Sequence, residues 1–385
     1  MNTAIQKLLV TGIAICALSS VAANEKGESM QRPATVPAVT DAVPDIPWAV
    51  PPQVIINKQA MEFTSAGARL SGTLYYPEGR EKLAAVIVFH GASEPSQDAL
   101  LYTHLKQMLP PLGIAVFVFD RRGTGRSAGG ERGMQDFDVL SDDGVAAFQM
   151  LATDARIDPR RIGFWGLSQG GWLTLLAAGK EPRAAFAISV SAPMVKADVQ
   201  MIFASTNILH TLGYPQSVID QAIATRRAID GYIRGKVDRT TVERMLDEAE
   251  RQPWFQQIYL GRSMIEPNSG WRQQISSDPM RSLGESRAPT LLIFGQQDMW
   301  IPVAETIDVL RASRSQRGLT VRVISGASHE MMLGVSPRDA MNPALFSKFA
   351  PDAPEYFGLL GSWLAEHGIA SSALPKPAAG DQTLH

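Results

Sequence analysis

The sequence predicts an α/β fold, in which a mostly parallel eight-stranded sheet carries helices on both faces and a helical insertion. From residue 84 to about 195, short apolar segments alternate with helical segments, as in parallel sheets whose strands are buried on both faces. The alternation stops between about 196 and 285, where the pattern is helical and amphipathic, and then resumes. The chain has 385 residues, 45% hydrophobic and 19% charged, which is enough for one large domain plus an insertion.

The first 23 residues have the pattern of a signal peptide. Lys7 precedes an apolar stretch over 8–18, and Val21-Ala22-Ala23 fits a small-residue cleavage site. The apolar stretch is shorter than the roughly 20 residues of a spanning helix, which is the alternative interpretation. We therefore expect an exported protein, periplasmic or secreted, without stable membrane insertion after cleavage. Cleavage would remove Cys16, the only cysteine, so the mature chain would form no disulfide.

The next segment, 24–53, is a Pro-rich leader, and the first half of the core follows over 54–195. Residues 54–76 predict a β-hairpin that turns at Ala66-Gly67 and returns with alternating apolar and polar residues. The later elements of this half are predicted in order as strands at 84–89, 114–119, 162–165 and 184–190, and helices at 96–109, 139–152 and 169–179.

The insertion over 196–285 predicts a cap with three main helices, at 198–212, 215–234 and 240–252. We expect this cap to form a lid that shapes the substrate pocket, although a purely stabilising role is the alternative. The second half of the core follows over 286–368, with strands at 290–294 and 320–324, and residues 369–385 are expected to form a flexible tail.

Ser168 is the candidate nucleophile. It lies in Gly166-Leu167-Ser168-Gln169-Gly170, between an apolar strand and a helical pattern. A sharp strand-to-helix turn lifts a serine hydroxyl above the edge of a sheet, and glycines on either side leave room for the close backbone approach. The alternative is a glycine-rich turn with a solvated serine.

His329 is the candidate general base. Of the six histidines, only His90 and His329 lie in loops that directly follow a predicted strand, and His90 is expected to have another role. The C-terminal ends of parallel strands are where α/β sheets place reactive groups. We expect His367 to cap the last helix and His104 to have a packing or surface role.

Asp298 is the candidate partner of that base, because it also follows a predicted strand, after Gly295-Gln296-Gln297. A plain turn-forming role is the alternative. The oxyanion hole is assigned to the backbone N–H groups of Ala92 and Gln169. His90, at the start of the His90-Gly91-Ala92 loop, is expected to support that loop rather than to act in catalysis.

These motifs resemble those of the α/β-hydrolase superfamily, in which the triad runs in the order Ser, Asp, His. Within it the chain is similar to secreted bacterial serine esterases and to the dienelactone-hydrolase-like and prolyl-oligopeptidase-like branches. The resemblance implies an α/β-hydrolase fold and a hydrolase, and it covers roughly residues 61–195 and 286–366. Its motifs are His90-Gly91-Ala92, the segment Asp120-Arg121-Arg122-Gly123-Thr124-Gly125-Arg126-Ser127, Gly166-Leu167-Ser168-Gln169-Gly170, Gly295-Gln296-Gln297-Asp298 and Ser328-His329.

The predicted activity is hydrolysis of carboxylic esters through an acyl-enzyme on Ser168. Alternatives are a serine peptidase of the prolyl-oligopeptidase-like type, an acyl-CoA thioesterase and a non-catalytic binding module on the same fold. The candidate substrate contacts are Trp172, Met299, Trp300 and Met331, which lie within a few residues of the assigned chemistry.

No cofactor or metal is expected, and the predicted partner is a small-molecule ester. The net charge of −2 gives no indication of a nucleic-acid partner. The sequence does not indicate the oligomeric state. Three arginines follow strand 114–119, and we expect them to brace their loop by pairing with nearby acids rather than to bind substrate. They are Arg121, Arg122 and Arg126, and the candidate acids are Asp120, Asp142 and Asp143.

Overall fold

The computed structural model describes residues 54–93, 95–130, 136–313 and 318–370. The predicted signal peptide and leader, and the tail beyond residue 370, lie outside these ranges. Eight strands form one sheet in the order β1-β2-β4-β3-β5-β6-β7-β8. The pairs β1–β2 and β2–β4 are antiparallel, and the other neighbours are parallel. The predicted mostly parallel eight-stranded sheet is therefore confirmed.

The strands have the following bounds: β1 Ile56–Ser65, β2 Ala68–Pro77, β3 Leu83–Phe89, β4 Ile114–Phe119, β5 Ile157–Leu167, β6 Ala187–Val190, β7 Thr290–Gly295 and β8 Leu319–Ile324. The helices before the insertion are α1 Thr103–Met108, α2 Phe137–Ala152 and α3 Gln169–Lys180. Those within it are α4 Ala197–Thr211, α5 Gln216–Ile233, α6 Arg239–Ala249, α7 Gly270–Ser276 and α8 Pro279–Glu285. Those after it are α9 Val303–Ala312, α10 Pro337–Ala340, α11 Pro343–Phe346 and α12 Pro354–Glu366.

The sheet lies between two apolar layers. On one face, Leu105 of α1 and Tyr356 of α12 pack with alternate residues of the central strands. On the other face, Phe148 of α2 and Leu173 of α3 pack with the intervening strand residues. Strands β3 and β4 are fully buried, which explains why their sequences are apolar at every position.

The insertion forms a cap with an apolar core of its own. Ile229 of α5, Leu246 of α6 and Trp254 of the following segment are fully or almost fully buried in this core. Met299, from the loop after β7, and Ala340, the last residue of α10, complete the same cluster. The cap is thus joined to the loops at the carboxyl ends of the strands, which is where a parallel sheet positions a site.

The strand expected over 162–165 spans Ile157–Leu167, and the one expected over 184–190 begins only at Ala187. Two further predictions about element bounds also need correction. The helix expected over 96–109 is shorter, because the backbone N–H and the side-chain amide of Gln97 both donate to the Asp120 carboxylate at 3.0 and 2.9 Å. These bonds hold the start of the segment in a loop; a 3-10 turn follows over Leu100–Tyr102, and α1 begins only at Thr103. Ile369, expected to begin the flexible tail, is instead 4% exposed and packs in the core.

Within the described ranges, no helix combines the length and the apolar character needed to cross a membrane.

Candidate active site

Ser168 occupies a sharp turn between β5 and α3. Its backbone has φ 57° and ψ −121°, a left-handed conformation that is costly for a residue other than glycine. The turn is tight enough that a Cβ on Gly166 would lie 2.0 Å from the carbonyl oxygen of Gly170. A Cβ on Gly170 would lie 2.3 Å from the carbonyl oxygen of Phe89. The two glycines of the motif are therefore required by the close approach of the backbone at the turn.

His329 and Asp298 are hydrogen-bonded. The distance between His329 Nδ1 and Asp298 Oδ2 is 2.6 Å, and the aspartate side chain is fully buried. The second oxygen of the carboxylate, Oδ1, accepts the backbone N–H groups of Trp300 at 2.8 Å and Ile301 at 3.0 Å. The carboxylate therefore has a fixed orientation and presents one oxygen to the imidazole.

The backbone of His329 is also held in place. Ser191, at the end of β6, donates its hydroxyl to the carbonyl oxygen of His329 at 2.7 Å. Ser168 and His329 both line one cleft, with the serine half-buried and the histidine 8% exposed. The structure thus places the three sequence-predicted triad residues at one site.

The environment of His329 changes its pKa. Burial by itself lowers the pKa of the imidazole, but the negative charge of Asp298, its hydrogen bond and the charge of Glu330 together raise it above the ordinary value. Burial also raises the pKa of Glu330. A base with a raised pKa is well suited to accept a proton from a hydroxyl group.

The loop after β3 is stabilised from two directions. The N–H of Gly91 donates to the Tyr102 hydroxyl at 2.8 Å. Arg121 Nη2 donates to the carbonyl oxygens of His90 at 2.9 Å and Gly91 at 3.0 Å. The next residue along the chain, Ala92, lines the cleft.

Gln169 begins helix α3 directly after Ser168 and also lines the cleft. Helix N-termini present unpaired N–H groups and a partial positive charge. The structure therefore brings both predicted oxyanion-hole residues, Ala92 and Gln169, to the same cleft as Ser168.

Two of the four predicted substrate contacts lie on the cleft and two do not. Trp172 and Trp300 are part of its wall. Met299 is 6% exposed and packs in the core of the cap. Met331 is 1% exposed and packs in the main core with Phe349, because its backbone turns with a φ of 60° that directs the chain inward. Neither methionine lines the cleft, so the expectation for them is corrected.

Tyr259 and Glu330 are two of the cleft residues that sequence reasoning missed. Tyr259 comes from the irregular segment between α6 and α7, and its ring centroid lies 6.5 Å from that of Trp300. Burial raises the pKa of this tyrosine to about 12. Glu330 follows His329 directly and also lines the cleft. No periodic pattern or motif marks Tyr259, whereas the position of Glu330 beside the candidate base was a usable signal.

Left-handed backbone at residues other than glycine is concentrated around the cleft. In the described residues, six non-glycine positions have a positive φ, of which Ala66 and Lys82 lie in turns next to strands. The remaining four are Ser168, Ser191, Tyr259 and Met331. Ser168 and Tyr259 line the cleft, Ser191 donates to the carbonyl oxygen of His329, and Met331 directly follows Glu330. Such strain persists only where the surrounding structure enforces it, and it is typical of functional sites.

The predicted supporting roles of nearby residues can be compared with their contacts. Arg122 forms a buried ion pair with Asp143, with Nη2 2.5 Å from Oδ1. Arg126 lies 3.9 Å from Asp120 through its Nε atom. His90 is 2% exposed, packs edge-to-face on the ring of Tyr102, and has a pKa well below the ordinary value because it is buried. Arg122 and Arg126 thus lie beside the acids Asp143 and Asp120, and His90 packs against Tyr102.

Among the residues that the structure describes, no three His, Cys, Asp or Glu side chains are grouped so that they could hold a metal ion.

Comparison with known proteins assigns the chain to a family. Residues 80–334 match the profile of the family described as serine aminopeptidase, S33. An esterase of Pyrococcus furiosus has a similar fold, with a TM-score of 0.52 and 17% identity over 83% of this chain and 97% of that one. At this level of identity the likeness concerns the fold alone.

Two fungal proteins are similar in sequence. The polyketide transferase claH of Penicillium crustosum is 35% identical over 37% of this chain and 46% of its own length. The thiohydrolase apmlB of Arthrinium phaeospermum is 34% identical over 34% of this chain and 42% of its own length. The matches therefore span less than half the length of these curated relatives. Because the family profile covers about two thirds of the sequence, the chain belongs to the S33 serine aminopeptidase family of α/β-hydrolases.

Proposed function

We propose that this hydrolase cleaves carboxylic esters of small molecules through an acyl-enzyme on Ser168. The observation that carries the proposal is the strained turn that presents Ser168 to the same cleft as His329, with Asp298 hydrogen-bonded behind the imidazole. A hydroxyl needs such a base to attack a carbonyl carbon.

The proposed reaction has two stages. His329 Nε2 accepts the proton of the Ser168 hydroxyl as its oxygen bonds to the ester carbonyl carbon, and Asp298 stabilises the imidazolium. The N–H groups of Ala92 and Gln169 hold the negative oxygen of the tetrahedral intermediate. The imidazolium then protonates the leaving alcohol, and water hydrolyses the acyl-enzyme by the same route. No cofactor takes part in this scheme.

The aromatic wall of the cleft supports an apolar substrate. Trp172, Trp300, Tyr259 and Phe349 line it, and large aromatic side chains make good walls for apolar groups. Because Tyr259 and Met201 of the cap contribute to this wall, we propose that the cap selects the substrate. Export to the periplasm or the medium, based on Lys7 and the apolar stretch after it, is part of the proposal.

Thioester hydrolysis is the second candidate, because one similar curated protein is a thiohydrolase. The same triad cleaves either bond. The described cleft residues include no Lys or Arg that would pair with the phosphates of coenzyme A, so a thioester of an uncharged thiol is the form we would expect.

The test compares the wild type with Ser168→Ala on p-nitrophenyl esters, uncharged thioesters and aminoacyl-p-nitroanilides. We expect ester turnover by the wild type and a loss of at least about 10³-fold in the variant, with its melting temperature retained. Faster cleavage of the anilides than of the esters would favour a peptidase. Unchanged ester hydrolysis by the folded variant would exclude Ser168 as the nucleophile.

A further inference from the structure

Glu330 stands out among the residues of the cleft. Of the described residues that line it, Glu330 is the one Asp, Glu, Lys or Arg side chain. Apart from His329, the others are apolar or carry neutral amide and hydroxyl groups. When ionised, a single carboxyl group in a largely apolar cleft dominates the electrostatic potential that a substrate meets.

The chain around Glu330 is fixed by several hydrogen bonds. The Ser328 hydroxyl donates to Glu330 Oε2 at 3.3 Å and accepts the backbone N–H of Glu330 at 3.3 Å. Directly after it, the carbonyl oxygen of Met331 accepts the N–H groups of Asp352 at 3.2 Å and Ala353 at 3.1 Å. These bonds hold Met331 in its left-handed conformation and its side chain in the core. The loop therefore directs Glu330 to the cleft while Met331 serves as its anchor.

The position of Glu330 relates it to one part of the substrate. It lines the same cleft as His329, the residue that protonates the leaving alcohol in the proposed reaction, and its charge acts on that imidazole. A group near the imidazole faces the alcohol portion of an ester rather than the acyl portion held on Ser168. Trp300 and Tyr259 also line this cleft, and aromatic faces attract cations.

We propose that Glu330 determines substrate specificity by charge, favouring esters of cationic, amine-bearing alcohols over neutral ones and disfavouring esters of carboxylate-bearing alcohols. This inference rests on the proposed ester hydrolysis. Like charges repel and opposite charges attract across the cleft, by an amount that depends on local screening. Glu330 also acts on His329, because the negative charges of Glu330 and Asp298 both raise the pKa of the imidazole.

The test uses three butyrate esters that differ only in the charge of the alcohol: 2-(trimethylammonio)ethyl, its neutral isostere 3,3-dimethylbutyl, and an ester of a hydroxyalkanoate of similar length. Hydrolysis is followed with the full-length protein by a pH-stat at pH 8. We expect kcat/KM to fall in that order for the wild type. In Glu330→Gln the ratio of the cationic to the anionic ester should fall by about tenfold.

A second readout separates this charge effect from a structural one. Removing the negative charge lowers the pKa of His329, so the acidic limb of kcat/KM for the neutral ester should move to lower pH in Glu330→Gln. Glu305→Gln is the matched control, because Glu305 is an exposed residue of α9 and its loss removes the same charge elsewhere. Its charge ratio and pH profile should equal those of the wild type.

Labelling with a neutral fluorophosphonate distinguishes failure of this inference from failure of the proposed function. If Ser168 is labelled in the wild type and in Glu330→Gln, but the charge ratio is the same in both, Glu330 does not set specificity and the hydrolase proposal stands. If Ser168 is not labelled in the folded wild type, the proposed function itself fails, and this inference with it.

Discussion

Asp298→Asn is the substitution whose outcome follows most directly from the hydrogen bonds of the site. Asp298 Oδ1 accepts two backbone N–H groups, from Trp300 and Ile301, so an asparagine must keep its carbonyl oxygen there. Its NH₂ group then faces His329 Nδ1, at the position where the aspartate oxygen lies 2.6 Å away. The imidazole must accept this hydrogen bond at Nδ1 and carry its own proton on Nε2. In that tautomer it cannot accept the proton of Ser168.

The size of the effect can be worked from the charge that is removed. A carboxylate and an imidazolium with charge centres roughly 4 Å apart attract by about 4 kcal/mol at an effective dielectric constant of about 20. Losing this from the transition state costs about 10³-fold in rate, and the unfavourable tautomer adds to it, so we expect kcat to fall by about 10³- to 10⁴-fold. Because both backbone N–H groups keep their acceptor, the melting temperature should change little.

The assay is steady-state hydrolysis of p-nitrophenyl butyrate between pH 6 and 9, with thermal unfolding measured on the same samples. Asp352→Asn is the matched control, since Asp352 accepts the N–H of Leu333 on the His329 loop at 2.7 Å and an amide oxygen can replace it there. The control should keep kcat within about twofold. A folded Asp298→Asn enzyme with kcat within tenfold of the wild type would refute the assigned role of Asp298.

Three further predictions follow from the same geometry. Because the pKa of His329 is raised and its neutral form is the base, kcat/KM should fall on the acidic side with a midpoint above the ordinary value of about 6.5. A midpoint well below this value would show that Asp298 and Glu330 do not raise the pKa of His329. Arg121→Met removes both hydrogen bonds to the carbonyls of His90 and Gly91, so kcat should fall about 10- to 100-fold with little change in KM, measured on the same ester; an unchanged kcat would show that the loop holds without them. Gly166→Ala places a Cβ 2.0 Å from the carbonyl oxygen of Gly170, so the free energy of unfolding should fall by several kcal/mol. Urea denaturation measures this loss, and near wild-type stability would mean that the turn can relax.

Much of the fold was predictable because the central strands are buried on both faces. The predicted strand at 114–119 coincides with β4, and the hairpin turn falls at Ala66-Gly67 as expected. Such elements are determined by local composition, by continuous apolar segments and by the residues that turns require. The same local signals mark the ends of strands, which is why Ser168, Asp298 and His329 could be proposed together.

What the sequence did not reveal depends on contacts between distant segments. The helix expected over 96–109 is shortened by the bonds between Gln97 and Asp120, 23 residues apart in the chain. Met331 lies two residues from His329, but the left-handed turn of its backbone sends its side chain to the core. Proximity in sequence does not indicate the direction of a side chain in a loop. Tyr259 reaches the cleft from an irregular segment of the cap that has no periodic pattern.

The most direct test of the central claim is to locate the nucleophile chemically. The purified protein would be incubated with a fluorophosphonate, digested, and its labelled peptide identified by mass spectrometry, with and without prior saturation by an ester substrate. The account predicts one label, on Ser168, and slower labelling when the substrate is present. A folded protein that hydrolyses esters while its label falls on another residue, or on none, would contradict it.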